Sequence, residues 1–201
     1  MTISGHPRGS RDPAKEQDLG SRFRGNDELG KPMTGNGCRA ELFSEQHREA
    51  LRSACAEDRD IWQIYAWSFD PEQFDETLDR VVGKSTNRLF MLFDGDEFAG
   101  MSAYLGIDLD RQVLEIGNTY YRPGLRGTGF NFRAKDMMLR RAFDCGFRRV
   151  EFRVDQRNQR SQAAMTKLGA VREGVMRADR ITWTGHVRDT VLFSILKDEW
   201  A

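Results

Sequence analysis

The chain has 201 residues, 39% of them apolar, which suits one domain with its own core. Thirty-one basic and 31 acidic residues cancel, so no global charge recruits nucleic acid or a membrane surface. No run approaches the roughly 18 apolar residues of a membrane span, and residues 1–30 lack the apolar stretch of a signal peptide.

Cys38, Cys55 and Cys145 are odd in number and far apart. They make no disulfide framework and no metal spacing, which fits a reducing cytoplasm and a protein without a metal. Residues 1–37 carry seven glycines with Pro7, Pro13 and Pro32 in a polar run. Such a segment cannot offset its ordering entropy, so it is expected to be a disordered tail, with Met33 as the natural start and 1–32 dispensable. A single domain is expected over 38–201.

A short strand is expected at Arg39–Phe43. Ser44 then caps a helix with His47 at the box position, and Leu51, Ala54 and Cys55 form its apolar face. An aromatic patch follows at Ile61, Trp62, Ile64, Tyr65 and Trp67. Asp70 and Pro71 read as the start of a second helix, with Phe74, Leu78, Val81 and Val82 at helical spacing and Gly83 as its stop. Leu89–Phe93 and Phe98–Ile107 flank Asp94-Gly95-Asp96-Glu97, a hairpin signal. Val113–Tyr121 is the next strand.

That strand runs into Pro123-Gly124-Leu125-Arg126-Gly127-Thr128-Gly129, and a helical pattern leaves it through Phe132, Met138, Leu139, Ala142 and Phe143. Proline ends the ladder and the glycines let the backbone bend. Free N–H groups at a helix N-terminus beside Arg126 make an anion cradle. A nucleotide P-loop needs Lys-Ser/Thr after its last glycine, and Phe130-Asn131 stands there. A dinucleotide fingerprint has the reverse spacing. A pyrophosphate loop of the GNAT acyltransferase kind, Gln/Arg-x-x-Gly-x-Gly/Ala, fits Gly127-Thr128-Gly129 but has Gly124 at its first position. A glycine-rich turn without a ligand is the plain alternative. Beyond Gly146, Arg149–Asp155 reads as a strand and Asn158–Leu168 as a helix closing at Gly169. Val171–Met176 and Val187–Leu196 read as the last strands. The result is a mixed, mostly antiparallel α/β (α+β) sheet with helices on both faces.

Four fragments in order carry a resemblance. They are Glu115-Ile116-Gly117 leading to Arg126-Gly127-Thr128-Gly129, Asn131 and Lys135; Arg149-Val150-Glu151-Phe152; Asn158-x-x-Ser161 ending in Lys167-Leu168-Gly169-Ala170 and Glu173-Gly174; and Arg188-Asp189-Thr190-Val191 running into Ser194-Ile195-Leu196 and Glu199-Trp200. Over about 113–200 the chain resembles the GNAT acetyltransferases of the RimJ/RimL-type branch, and residues 38–112 fit in order with weaker motifs. The resemblance implies acetyl-CoA as co-substrate and an amine acceptor: a peptide N-terminus, a polyamine or another small amine. It implies direct attack in a ternary complex. It also implies two central parallel strands, Val113–Tyr121 and Arg149–Asp155, that splay to take the pantetheine arm. The N–H groups of Arg126, Gly127, Thr128, Gly129, Phe130 and Asn131 would hold the pyrophosphate. Asn158 would bond pantetheine or simply cap its helix. Nucleic acid and membrane are not expected partners, and a homodimer is left open.

Many family members place a tyrosine four residues before the glycine closing that helix; here it is Met165. RimL-like members have a serine where Ser161 stands, which makes Ser161 the candidate acid or relay, or else a helix-surface serine. A glutamate of some members is replaced by Arg180. Glu115 is therefore the candidate base and Asp179 the second choice, with a sheet salt bridge as Glu115's plainer role. A non-catalytic acyl-CoA-binding module is the alternative to an enzyme.

Overall fold

The structure is a computed structural model that describes residues 27–200. The alternating stretches pair into one eight-stranded sheet. Its strands are β1 (Met33–Gly35), β2 (Cys38–Leu42), β3 (Arg88–Asp94), β4 (Glu97–Asp108), β5 (Val113–Tyr121), β6 (Arg149–Asp155), β7 (Val171–Ile181) and β8 (Val187–Leu196). Their order is β1-β2-β3-β4-β5-β6-β8-β7. Every neighbouring pair is antiparallel except β5 and β6. The helices are α1 (Arg48–Ala56), α2 (Phe74–Val82), α3 (Phe130–Asp144) and α4 (Gln159–Leu168).

Each face of the sheet has its own core. Ala134, Met138 and Leu139 of α3 and Met165 and Leu168 of α4 pack with Phe90, Tyr104, Ile116 and Phe152. On the other face Leu51 and Cys55 of α1 and Phe74 and Leu78 of α2 pack with Trp62, Met101 and Tyr120. Trp62 stacks on Tyr120 at 5.0 Å, and the Tyr120 hydroxyl donates to the Ala54 carbonyl at 2.6 Å. Helices thus cover both faces, as the pattern of elements implied.

Ile116 and Tyr120 share a parity along β5 yet lie in opposite cores. A β-bulge explains this. The register steps from Ala103↔Gly117 to Met101↔Tyr120, so Asn118 and Thr119 oppose Ser102 alone. Asn118 adopts φ 46°, a left-handed turn that asparagine tolerates better than most residues.

The expected tail needs correction at its end. Residues 1–26 lie outside the described residues, but 27–37 belong to the domain. Leu29 is fully buried and Met33 nearly so. Arg141 of α3 donates to the carbonyls of Glu28 (2.6 Å), Lys31 (3.4 Å) and Pro32 (3.1 Å). Two apolar residues and a set of backbone carbonyls suffice to dock a segment too polar to form a stripe by itself. The Asp70 cap is also displaced. Helix α2 begins at Phe74 with Gln73 as its N-cap, while the Asp70 carboxylate is held by Arg59 at 2.5 and 2.7 Å. Strand β7 continues past Met176 to Ile181 because its register shifts between Met176 and Arg180, with Ala178 at φ 49°.

Leu29→Ala is expected to lower the unfolding free energy by about 2–5 kcal/mol, the range for a large aliphatic side chain lost from a core. A chain beginning at Met33 should likewise melt below the full chain. Equal denaturant midpoints for the parent and Leu29→Ala would remove this segment from the folded unit.

Candidate active site

β5 and β6 pair only through Val113↔Arg149, Leu114↔Val150 and Glu115↔Glu151. Beyond that point β6 stays on β8 along its whole length, and β5 turns with its bulge onto β4. A cleft of ≈ 820 Å³ opens where they part. Its walls come from both faces of the sheet. Gly127, Gly129, Asn131, Asn158 and Ser161 line it on the α3/α4 side; Ile61, Trp67, Arg80, Lys84 and Leu105 line it on the α1/α2 side. Glu115, Gly117, Thr119 and Phe152 form the throat between them.

The glycine loop enters α3 with Gly127 at φ 85° and Gly129, the N-cap, at φ 87°. Only glycine takes such angles without strain. Not all the N–H groups expected to hold a pyrophosphate are free. That of Arg126 donates to the Pro123 carbonyl (3.2 Å) and that of Thr128 to Leu125 (3.4 Å). The Phe130 N–H makes a long contact to the Thr128 hydroxyl (3.4 Å), and the Phe130 ring is core. The N–H groups of Gly127, Gly129 and Asn131 have no partner among the described residues. The Arg126 side chain is tied to Asp58 and, through Nε, to the Tyr121 carbonyl at 3.2 Å, but its buried Nη2 has no partner among the described residues. These orphan donors at a helix N-terminus fit a diphosphate.

Asn158 is the N-cap of α4, and its side-chain oxygen accepts from the Ser161 N–H at 3.0 Å. The capping role is therefore filled, and the residue lines the cleft as well. The Ser161 hydroxyl lines the cleft without a hydrogen-bond partner among the described residues.

Glu115 folds back along β5. Its Oε1 lies 2.6 Å from where a Cβ on Gly117 would stand, so glycine at 117 is what gives the carboxylate room. Burial pushes the Glu115 carboxyl above its ordinary range against the opposing pull of Arg153, Arg180 and Arg188. Arg153 Nε is 3.4 Å from its Oε2. Asp179 behaves differently. Burial pushes it up too, but Thr190 (2.8 Å) and Arg180 (2.9 Å) donate to it and hold it below the usual carboxylate range. Arg180 is thus engaged by Asp179.

Two residues in the cleft wall were given no role by sequence reasoning. The Tyr121 hydroxyl is buried with no partner among the described residues. Lys135, 3% exposed, reaches from α3 to the bulge. Its Nζ donates to Thr119 Oγ1 at 2.6 Å and lies 3.4 Å from Ser102 Oγ. Burial lowers this amine from 10.5 to about 7, with Glu115 pulling the other way. The signal was present: Lys135 stands three and four residues before the core residues Met138 and Leu139, on the face that α3 buries.

The parted parallel strands and the glycine loop face one open cleft. The family model for the acetyltransferase (GNAT) domain matches residues 40–171, and the chain belongs to this family. Among solved structures it is similar to a GNAT-family acetyltransferase from Chromobacterium violaceum ATCC 12472, with 29% identity, TM-score 0.79 and coverage of 85% of this chain and 88% of the other. A GCN5-related N-acetyltransferase from Brucella melitensis has 26% identity and TM-score 0.77, over 85% and 80% of the two chains. RimL, a ribosomal L7/L12 alpha-N-protein acetyltransferase solved with coenzyme A, shares the fold at 16% identity and TM-score 0.72, over 84% and 99%. A search of curated proteins finds no significant match. The protein is a GNAT acetyltransferase.

The buried amine fixes a pH dependence. Lys135 loses its proton at about 7 when folded and at about 10.5 when unfolded. Between those values the folded chain binds fewer protons than the unfolded chain, so this group makes stability rise with pH across that window. Below about 7 both states are charged and the cost of burying the ammonium stands in full. Urea unfolding of the parent and Lys135→Met should therefore diverge in slope across the window. Parallel stability–pH curves would show that the amine is not desolvated.

Proposed function

We propose that the enzyme acetylates a primary amine by direct attack in a ternary complex, with acetyl-CoA lying on the α3/α4 side of the cleft and the amine entering from the α1/α2 side. The observation that carries this is the cleft itself, which crosses the sheet at the splay with Glu115 in its throat. Gly127, Gly129 and Asn131 would hold the pyrophosphate through their N–H groups, with Arg126 Nη2 as a further donor. Asn158 fixes the start of α4 beside it.

Glu115 is the base in this reading. A carboxyl raised by burial takes a proton more readily than the pinned Asp179. The Ser161 hydroxyl gives its proton to the departing thiolate and takes one back from solvent water, while Glu115 releases the amine's proton to solvent. The amine's proton passes to Glu115 as the C–N bond forms; the C–S bond then breaks with its electron pair on sulfur.

A peptide N-terminus is the acceptor favoured here. Arg80, Lys84, Arg153 and Arg180 line the cleft, and Glu115 and Asp155 are its only carboxylates among the described residues. Such a field opposes a polycation and tolerates a chain with one amine and acidic side chains. RimL, described as acting on a protein α-amine, shares this fold; so does a spermidine N-acetyltransferase chimera at 14% identity.

Acetyl-CoA should raise the melting temperature by mass action, and Gly127→Val should abolish the rise, because a β-branched side chain is strained at φ 85° and crowds the cradle. In a turnover assay over peptides and polyamines, Ser161→Ala should lower kcat by about 10²-fold with little change in CoA affinity. Glu115→Gln should lose most activity near neutral pH and regain part at high pH, where more amine is already neutral. Wild-type kcat in both variants with a good acceptor would remove these two assignments.

A further inference from the structure

Lys135 is the buried amine in the cleft that the proposed chemistry leaves without a task. An ammonium has three donors. Two are directed at Thr119 Oγ1 and Ser102 Oγ, which also bond to each other at 2.8 Å. No carboxylate lies within ion-pair distance of Nζ among the described residues. Keeping an amine in such a place is costly unless it meets something. Plain support of the bulge would not need a charge, because Ser102 and Thr119 already tie β4 to β5 there.

We propose that Lys135 is the cation that faces the thioester end of the acyl donor and stabilises the negative charge that gathers there during transfer. The inference rests on the reading of the cleft as the acyl-CoA site. The acyl carbon must come within reach of an amine whose proton goes to Glu115. That places it in the throat, where Gly117, Thr119, Phe152 and Lys135 form the wall. Lys135 approaches from α3, the helix that begins at the diphosphate cradle. The groups around its Nζ are hydroxyls from β4 and β5 and the Phe152 ring of β6, 5.8 Å away at its centroid. Glu115 is the charged group that acts on its ionisation. During transfer the carbonyl oxygen takes up charge as the amine nitrogen adds, and sulfur takes the electron pair when the C–S bond breaks. Lys135 gives up no proton in this scheme. The anion that develops beside Nζ favours the protonated amine, and that charge lowers the energy of the oxyanion and then of the thiolate.

Coenzyme A alone is a sufficient probe, so the test does not wait for the acceptor. Its thiol should be titrated by thiolate absorbance while bound to the full chain, with binding followed calorimetrically at each pH. A cation beside the thiol should make it about tenfold or more acidic than in free coenzyme A. Lys135→Met should abolish that gain while coenzyme A still binds, and Lys135→Arg should keep part of it. Thr119→Val, which frees the ammonium from its anchor, should reduce it and serves if Lys135→Met does not fold. A bound thiol no more acidic than the free one, or equally acidic in Lys135→Met, overturns the proposal and leaves the cleft assignment standing. Failure of coenzyme A to bind the parent overturns both.

Discussion

One hydrogen-bond ladder stops short, and the rest of the site follows from it. After Glu115↔Glu151 the two parallel strands no longer bond to each other. Buried backbone groups must find partners. β6 finds them on β8, and β5 on β4 by way of a bulge that costs Asn118 an unusual φ. Tyr65 satisfies one carbonyl freed there by donating to Thr119 O at 2.5 Å. The bulge also reverses which core each later residue of β5 enters. It thereby turns Thr119 toward α3 and Tyr120 toward α1. The opening is held by its neighbours on both faces, and a ligand with its own donors and acceptors can lie in it as a strand would.

Electrostatics sort the ionisable groups into two kinds. Asp58, Asp155 and Asp179 are held below the usual carboxylate range by hydrogen bonds from Arg126, Arg157, Thr190 and Arg180. These are fixed anions that orient arginines. Glu115 and Lys135 are shifted the other way, each toward its neutral form, because burial outweighs the charges near them. For the Lys135 amine the shift reaches about 7; for the Glu115 carboxyl burial moves it upward from its ordinary range. Both line the cleft.

Much of this was legible in the sequence where a local rule decides the outcome. β5, β6 and β8 stand at their expected bounds because alternation and turn residues fix strand ends. The glycine turn into α3 was legible because positions 127 and 129 take positive φ, which glycine accepts without strain. Other features are settled by tertiary contacts. Asp70 accepts the Glu72 N–H as a cap would and shares its carboxylate with Arg59, but the turn it opens becomes α-helical only from Phe74. The clasp of residues 27–37 depends on Arg141, more than a hundred positions away. Which N–H groups in the loop are free depends on which carbonyls the 3-10 turn at Pro123–Leu125 presents, and no motif encodes that. Lys135 lay in a recognised fragment, but its burial is visible only once α3 is seen to press that face onto the sheet.

The clasp bears on how the chain reaches its folded state. The bond from Arg141 to Glu28 closes a loop of 113 residues, and that from Asn36 to Asp136 closes one of 100. Contacts so remote in sequence carry a higher closure cost than the hairpin of β3 and β4 against whose sheet they pack. By the same reasoning β1, three residues long and paired on one side only, belongs to the part of the sheet that opens first. Opening there would release the outer end of α3 while β5, β6 and the inner core stay closed. Helix α3 would then be anchored at its cleft end and free at its other end, so its mobility is set by a segment outside the cleft.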